Sequence, residues 1–330
     1  MPRILRPQTI MLGIVGDSAA GKTTLTRGLV SLFGVENVSA ICCDDYHRYN
    51  RKQRKEMGIT ALDPVCNYID IMEQHFRMLR AGEPILKPVY NHGTGDFDPP
   101  EYVRPRRFVI VEGLLGFHSR AMRNCFDIKV YLNPSEPLRA EWKIKRDTTK
   151  RGYTREQVLA ALEKRAPDSE AFIHPQRAHA DLVVQFYPPP ENSRETGAHL
   201  NARLVLRPTI PHPDFTPFLP IEGANGATPS LQMKLGRDAG KPADILEVSG
   251  STTPEETTAL RRRLREHLLP EDFNGQIPEG SIGIYYDGKE KRQSYPLALT
   301  QLLIAFHMIQ AQEQLKGKTG APAAGVAEPI

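Results

Sequence analysis

Apolar positions along the chain alternate between unbroken runs and helical stripes. "TIMLGIV" (9–15) is continuous and predicts a buried strand, and "KTTLTRGLVSLF" (22–33) has the spacing of a helix. "VSAICC" (38–43), "RRFVIVEG" (106–113), "FDIKVYL" (126–132) and "ADLVVQF" (180–186) read as further strands. Between them, "NYIDIMEQHFRMLRAG" (67–82) closes on Gly82 as a helix, and "EPLRAEWKIKRDTTKRG" (136–152) is a helix stopped by Gly152. "TREQVLAALEKRA" (154–166) is another, with Thr154 as its N-cap. Strands alternating with helices predict an α/β fold, a largely parallel sheet covered by helices on both faces.

The pattern changes near Pro188, where "YPPPENSRETG" is turn-rich. "LNARLVLRPT", "PSLQMKLGR" and "ADILEVSG" follow as strands of a mixed or antiparallel extension. Then come a helix "TPEETTALRRRLREHLL", a strand "SIGIYYDG" and an amphipathic helix "LALTQLLIAFHMIQ". The expected division is a nucleotide-binding core with a lid helix over 1–187, an α+β extension over 188–314, and a disordered tail over 315–330. Whether the extension continues the core sheet or folds separately is open at this stage.

Composition changes this picture little. The formal charge of +4 is too small for bulk nucleic-acid binding, so the placement of basic residues matters more than their number. Cys42, Cys43, Cys66 and Cys125 form neither a zinc spacing nor a secreted disulfide framework. "MPRILRPQ" has no apolar signal core, and "PLALTQLLIAFHMI" falls short of the ~18–20 residues that span a bilayer. A cytoplasmic protein with no membrane and no nucleic-acid partner is expected.

Candidate chemistry begins at Gly16-Asp17-Ser18-Ala19-Ala20-Gly21-Lys22-Thr23, followed by Thr24, which fits G-x-x-x-x-G-K-[ST] between a predicted strand and a predicted helix. Its backbone N–H groups suit nucleotide phosphates, Lys22 the terminal phosphates, and the Thr23 hydroxyl a Mg²⁺ ion. ATP and Mg²⁺ are therefore the expected cofactors. Asp44 and Asp45 end the second strand, where a carboxylate opens into the same crevice and can take a proton from an attacking hydroxyl; a solvated strand end is the plainer alternative. Glu112 ends "FVIVEG", at the place of a metal-holding acid. At ~100° per residue, Lys143, Arg146, Asp147, Lys150 and Arg151 share about 140° of one helix face. That face suits a lid over a polyphosphate, although charged faces are often only solvated. "HRYNRKQRK" sets His47, Arg48, Arg51, Arg54 and Lys55 beside Asp44, a positive field that fits an anionic sugar phosphate. Tyr90 and His92 in the Gly-rich "PVYNHGTG" can bond sugar hydroxyls.

Together with the loop, "CDDYHRYNRKQRKEMGITALDP", "KPVYNHGTGDFDPPE", "FVIVEGL" and "WKIKRDTTKRGYT" resemble the phosphoribulokinase family, nearest to its cyanobacterial and plant form. The resemblance covers about residues 10 to 185; the loop and the R-D-x-x-x-R-G helix are shared with uridine kinases. It implies transfer of the γ-phosphate of ATP to the 1-hydroxyl of ribulose 5-phosphate for Calvin cycle carbon fixation. Asp44 is then the catalytic base, with Lys22 and Thr23 as the phosphate-loop pair and Glu112 at the metal. His47, Arg51, Arg54, Tyr90 and His92 lie on the sugar-phosphate side, with Lys143, Arg146 and Arg151 on the lid. The resemblance also implies a homodimer or larger assembly. Plastid members pair a phosphate-loop cysteine with one just before the base; here Ala20 holds the loop position while Cys42 remains, so that bridge cannot form. The alternatives are a uridine kinase-like or other small-alcohol kinase, favoured by an aromatic slot built from Tyr46 or Tyr49, and an ATP-operated regulatory protein.

Overall fold

The computed structural model describes residues 9–219, 229–268 and 280–320; "MPRILRPQ" and the final ten residues of the expected tail lie outside the described residues. In chain order the core half runs β1 (Ile10–Gly16), α1 (Lys22–Phe33), β2 (Val38–Cys42), α2 (Arg51–Glu56), α3 (Ile69–Arg80), β3 (Ile85–Asn91), β4 (Asp96–Val103), β5 (Phe108–Gly113) and α4 (Arg120–Arg123). It continues through β6 (Ile128–Leu132), α5 (Glu136–Arg151), α6 (Arg155–Asp168) and β7 (Leu182–Tyr187). The C-terminal half adds β8 (Asn201–Leu206), β9 (Leu231–Asp238), β10 (Lys241–Val248), α7 (Pro254–Leu268), β11 (Ile284–Asp287), β12 (Glu290–Gln293) and α8 (Tyr295–Gly320).

One eight-stranded sheet has the order β2-β5-β1-β6-β7-β8-β10-β9. The first five strands are parallel and the last three pair antiparallel, so the extension continues the core sheet. Every residue of β1 is buried because both faces of this central strand are covered. Its Ile10, Leu12 and Ile14 join a core with α1 and α8, whereas Met11 and Val15 join one with Met72, Phe76 and Leu79 of α3. Gly13 is required here, because a Cβ would lie 2.4 Å from the Phe117 ring.

Two elements differ from expectation. The helix expected over 297–310 runs on to Gly320, past the start of the expected tail, and it is not amphipathic through its first half. Residues 297–309 are buried on all sides, between α1, α7 and the sheet, and the polar Thr300, Gln301 and His307 bond inside the protein. The loop expected around Tyr90 is the β3–β4 hairpin, a separate two-stranded sheet. Pro88, Pro99 and Pro100 lie within its strands, which only an edge ladder or bulge tolerates, and its register shifts between Lys87 and Val89.

Candidate active site

The carboxyl ends of the parallel strands converge because β5 lies between β1 and β2. Glu112 pairs in register with Ile14, two residues before the end of β1, on one side and with Cys42, the last residue of β2, on the other. The β1–α1 loop wraps tightly. Ala19 and Gly21 have φ of 67° and 96°, and a Cβ on Gly16 would stand 2.6 Å from the Leu132 carbonyl. Lys22 Nζ donates to the Gly16 and Asp17 carbonyls at 2.8 and 2.9 Å, and Thr23 Oγ1 donates to Glu112 Oε2 at 3.2 Å. Burial pushes the Glu112 carboxyl up, against the pull of Lys22 and Thr23.

The two aspartates after β2 have separate fates. Asp45 accepts from the Tyr90 amide at 3.0 Å and pairs with the buried Lys87, so it ties β2 to β3. Asp44 turns to the phosphate loop side, where Lys22 acts on it, with His92 Nε2 at 3.7 Å from Oδ2. Burial would raise its carboxyl, yet His47, Lys22, His92 and Arg146 outweigh that and hold it below the ordinary aspartate value.

Around it gathers the group expected to receive the acceptor. The His47 and His92 rings meet the Tyr90 ring edge-on at 4.8 and 5.1 Å. Arg54 Nη2 donates to the Tyr90 hydroxyl at 2.7 Å, and Arg51 Nη2 to the His92 carbonyl at 2.5 Å. Two members of the basic run go elsewhere: Arg48 lies over Tyr68 at 5.1 Å and Lys55 is exposed. His47 also departs from the expected positive field. Asn67 donates through Nδ2 to the Ala61 and Asp63 carbonyls at 3.1 and 2.9 Å, so its Oδ1 accepts from His47 Nδ1–H at 2.7 Å. Burial pushes the His47 and His92 imidazoles down, leaving both neutral near pH 7 with their bonding nitrogens available.

On α5, Asp147 is a hub. Arg146 Nε, Lys143 Nζ and Arg151 Nη1 stand 2.8, 3.1 and 3.4 Å from its oxygens, and Arg146 also reaches Ser18 Oγ at 3.4 Å. Burial would raise the Asp147 carboxyl, but these cations bring it to about 2. Lys143 is driven down to about 8 by burial and by Arg165. Lys150 leaves this cluster: it faces Tyr286, 5.3 Å from the ring centre.

One further group was not foreseen, and one loop residue has an added role. Arg165 of α6 acts electrostatically on Asp147, Arg146, Asp17 and Asp44, although in "LEKRA" it looks like an ordinary basic helix end. Asp17, a member of the expected nucleotide loop, accepts through its side chain from Ser169 Oγ and from the Ser18 amide at 2.5 Å, with Arg139 at 3.6 Å. It anchors the phosphate loop to the residues flanking the lid. Its burial is offset first by Arg139, which keeps it ionised. Ala20 likewise turns its methyl into the core, so both contribute to the loop through their backbones.

Residues 11–192 match the model of the phosphoribulokinase/uridine kinase family. The chain is 34% identical to the phosphoribulokinase of Synechocystis sp., covering 96% of this chain and 98% of the relative. It is 31% identical to the chloroplastic phosphoribulokinase of Mesembryanthemum crystallinum, covering 96% and 87%. The solved phosphoribulokinase of Rhodobacter spheroides superposes with a TM-score of 0.56 at 20% identity, over 79% of this chain and 97% of that one, a likeness of fold. A family match over more than half the chain, and a relative matched nearly end to end, put this protein in the phosphoribulokinase/uridine kinase family.

Proposed function

We infer that the protein is an ATP-dependent kinase that phosphorylates the 1-hydroxyl of ribulose 5-phosphate to give ribulose 1,5-bisphosphate. The supporting observation is that Lys22 and His92 both act on Asp44, with Tyr90 and Arg54 beside His92, reinforced by relatives that carry the phosphoribulokinase name. The loop amides and Lys22 take the β- and γ-phosphates of ATP, and Arg51 and Arg54 take the acceptor phosphate. Tyr90, His92 and His47 orient the sugar hydroxyls. Asp44, ionised at working pH, removes the proton of the 1-hydroxyl. The oxygen then bonds to the γ-phosphorus as the bond to the β-phosphate oxygen breaks, ADP leaves, and Asp44 returns its proton to solvent. Lys143, Arg146 and Arg151 neutralise the moving charge. The Thr23 hydroxyl and Glu112 carboxylate, hard oxygen donors in contact at 3.2 Å, fit Mg²⁺, which when bound supplies charge neutralisation at the phosphate oxygens.

A nucleoside acceptor finds less support. Tyr46, one of the two aromatics offered for a base slot, is fully buried and bonded to His75 Nδ1 at 2.9 Å. No helix among the described residues is long and apolar enough to cross a membrane. We take the enzyme as cytoplasmic and a homodimer or larger, the latter checked by light scattering. The deciding experiment is ADP release from Mg-ATP with ribulose 5-phosphate, uridine or no acceptor. Release driven by uridine, or independent of acceptor, overturns the reading.

A further inference from the structure

The β11–β12 hairpin stands between the helix that follows the phosphate loop and the outer side of the lid helix. Its base is locked to α1 through Gln301 of α8. The fully buried Gln301 side chain accepts from the Gly283 amide at 2.7 Å and donates through Nε2 to the Thr24 carbonyl at 3.2 Å. Gly28 of α1 leaves the space this side chain fills, since a Cβ there would be 2.0 Å from Gln301 Nε2. The tip then reaches α5. The Tyr286 ring has Arg27 of α1 at 5.8 Å and Lys150 of α5 at 5.3 Å, so one aromatic face system bridges the two helices. Next to it, Asp287 pairs with Lys145 of α5 and lies 3.7 Å from Arg292. The lid helix thus carries two sets of cations. Lys143, Arg146 and Arg151 face inward on Asp147, while Lys145 and Lys150 face outward to the hairpin.

We propose that the β11–β12 hairpin is a strap that sets the position of the lid helix over the phosphate loop, with Tyr286 and Asp287 as positioning residues for phosphoryl transfer. Neither touches the reacting groups. They act by holding α5 from its outer side in register with α1, so that Arg146 stays within reach of Ser18. A half-exposed ion pair and a cation–π contact are individually weak and easily remade, which suits a strap that positions α5 without fixing it rigidly. The proposal rests on the kinase reading above and deepens it.

The test is a charge swap. Asp287→Lys should lower kcat/KM for ATP about 5- to 20-fold, and Lys145→Asp similarly, while the double variant Lys145→Asp/Asp287→Lys regains activity to within about 3-fold of wild type. Tyr286→Phe should behave as wild type and Tyr286→Ala should fall at least 3-fold, a second arm that decides the matter should Asp287→Lys fail to fold. A single value for Asp287→Lys within 2-fold of wild type, or a swap as impaired as its parents, overturns the strap. Trp142, the chain's one tryptophan, lies on the lid helix with its ring 3.8 Å from where a Gly21 Cβ would be. Its fluorescence on titration with Mg²⁺ and a non-hydrolysable ATP analogue reads nucleotide affinity without any acceptor. A swap rescued in that titration, beside a wild type that ignores ribulose 5-phosphate, would keep the strap and discard the acceptor assignment.

Discussion

Asp44 and Asp45 are adjacent in sequence and identical in chemistry, yet the structure gives them opposite consequences on neutralisation. Asp44→Asn preserves shape and removes the base. Loss of general-base help lowers turnover ~10²- to 10⁴-fold, equivalent to about 3–5 kcal/mol in the barrier. The phosphate loop does not lean on this carboxylate: Lys22 bonds to the Gly16 and Asp17 carbonyls, and the partner beside Asp44 is the His92 ring at 3.7 Å. The KM for ATP should therefore change by no more than about 3-fold, the pattern of an interaction made only in the transition state. Asp45→Asn instead leaves the buried Lys87 ammonium with only Glu101 at 3.6 Å and the Pro88 carbonyl at 3.2 Å. Breaking a buried pair costs about 3–5 kcal/mol, toward the low end here because Glu101 remains. At roughly 2 °C per kcal/mol for a chain of this size, melting falls by about 5–10 °C. Coupled ADP release at saturating substrates and a thermal melt of each variant make the comparison. Near-normal turnover for Asp44→Asn, or a dead but fully stable Asp45→Asn, would refute the division of labour.

The remaining expectations concern acceptor, pH and redox. Arg51→Ala should raise the KM for ribulose 5-phosphate at least 10-fold and that for ATP little; equal changes would detach Arg51 from the acceptor. Because the Asp44 carboxyl is held below its ordinary value, it stays ionised as pH falls, and turnover is lost only when pH passes below that lowered value. An acid limb at pH 6–7 in the kcat/KM profile, which reports the free enzyme's groups, would point to a different base. Lys143, at about 8, sheds its proton as pH rises and sets a basic limb; Arg165→Gln removes one cause of that depression and should move the limb upward, read from the same profile. Cys42 is pushed well above the ordinary thiol value by burial and by Asp44 and Glu112, and Ala20 provides no loop partner, so activity with and without a thiol reductant should agree within about 2-fold.

How much of this was legible beforehand follows from what each feature depends on. The α1 bounds and the Thr154 N-cap are local, written in apolar spacing and in a side chain reaching three residues on, and both stand as expected; Gln157 completes a capping box there. Pairing of β7 with β8 is not local. It requires Leu182 to face Leu206 across a turn-rich segment, and nothing in "YPPPENSRETG" distinguishes a return to the same sheet from a new domain. The proline-bearing β3–β4 hairpin hid for the opposite reason, because its local signals argue against strands. In the site, residue type and position drew attention to Asp44, Lys22 and Glu112, while environment decided the rest. The neutral state of His47 comes from its burial, against the hydrogen bond to Asn67 twenty residues away, and the departure of Lys150 from the lid face depends on Tyr286, more than a hundred residues on. A single helix's angular arc could reveal neither.

The lid shows how folding and catalysis share one set of charges. Gathering Lys143, Arg146, Arg151 and Arg165 costs desolvation and mutual repulsion, and the one carboxylate of Asp147 offsets only part of it. The residue that records the imbalance is Lys143, whose proton is held so weakly that it comes off near pH 8 rather than above 10. Polyphosphate brings the missing negative charge, so the cations that strain the lid by themselves are neutralised once nucleotide lies beneath them. That neutralisation by itself raises affinity; turnover rises only to the extent that Arg146 and Arg151 meet the moving phosphoryl group more closely than the resting nucleotide. The strap on the outer side of α5 answers the same imbalance, since an electrostatically strained helix needs a hold that does not compete for its inner face. Asp287 and Tyr286 supply one through Lys145 and Lys150, leaving Arg146 and Arg151 to the phosphates.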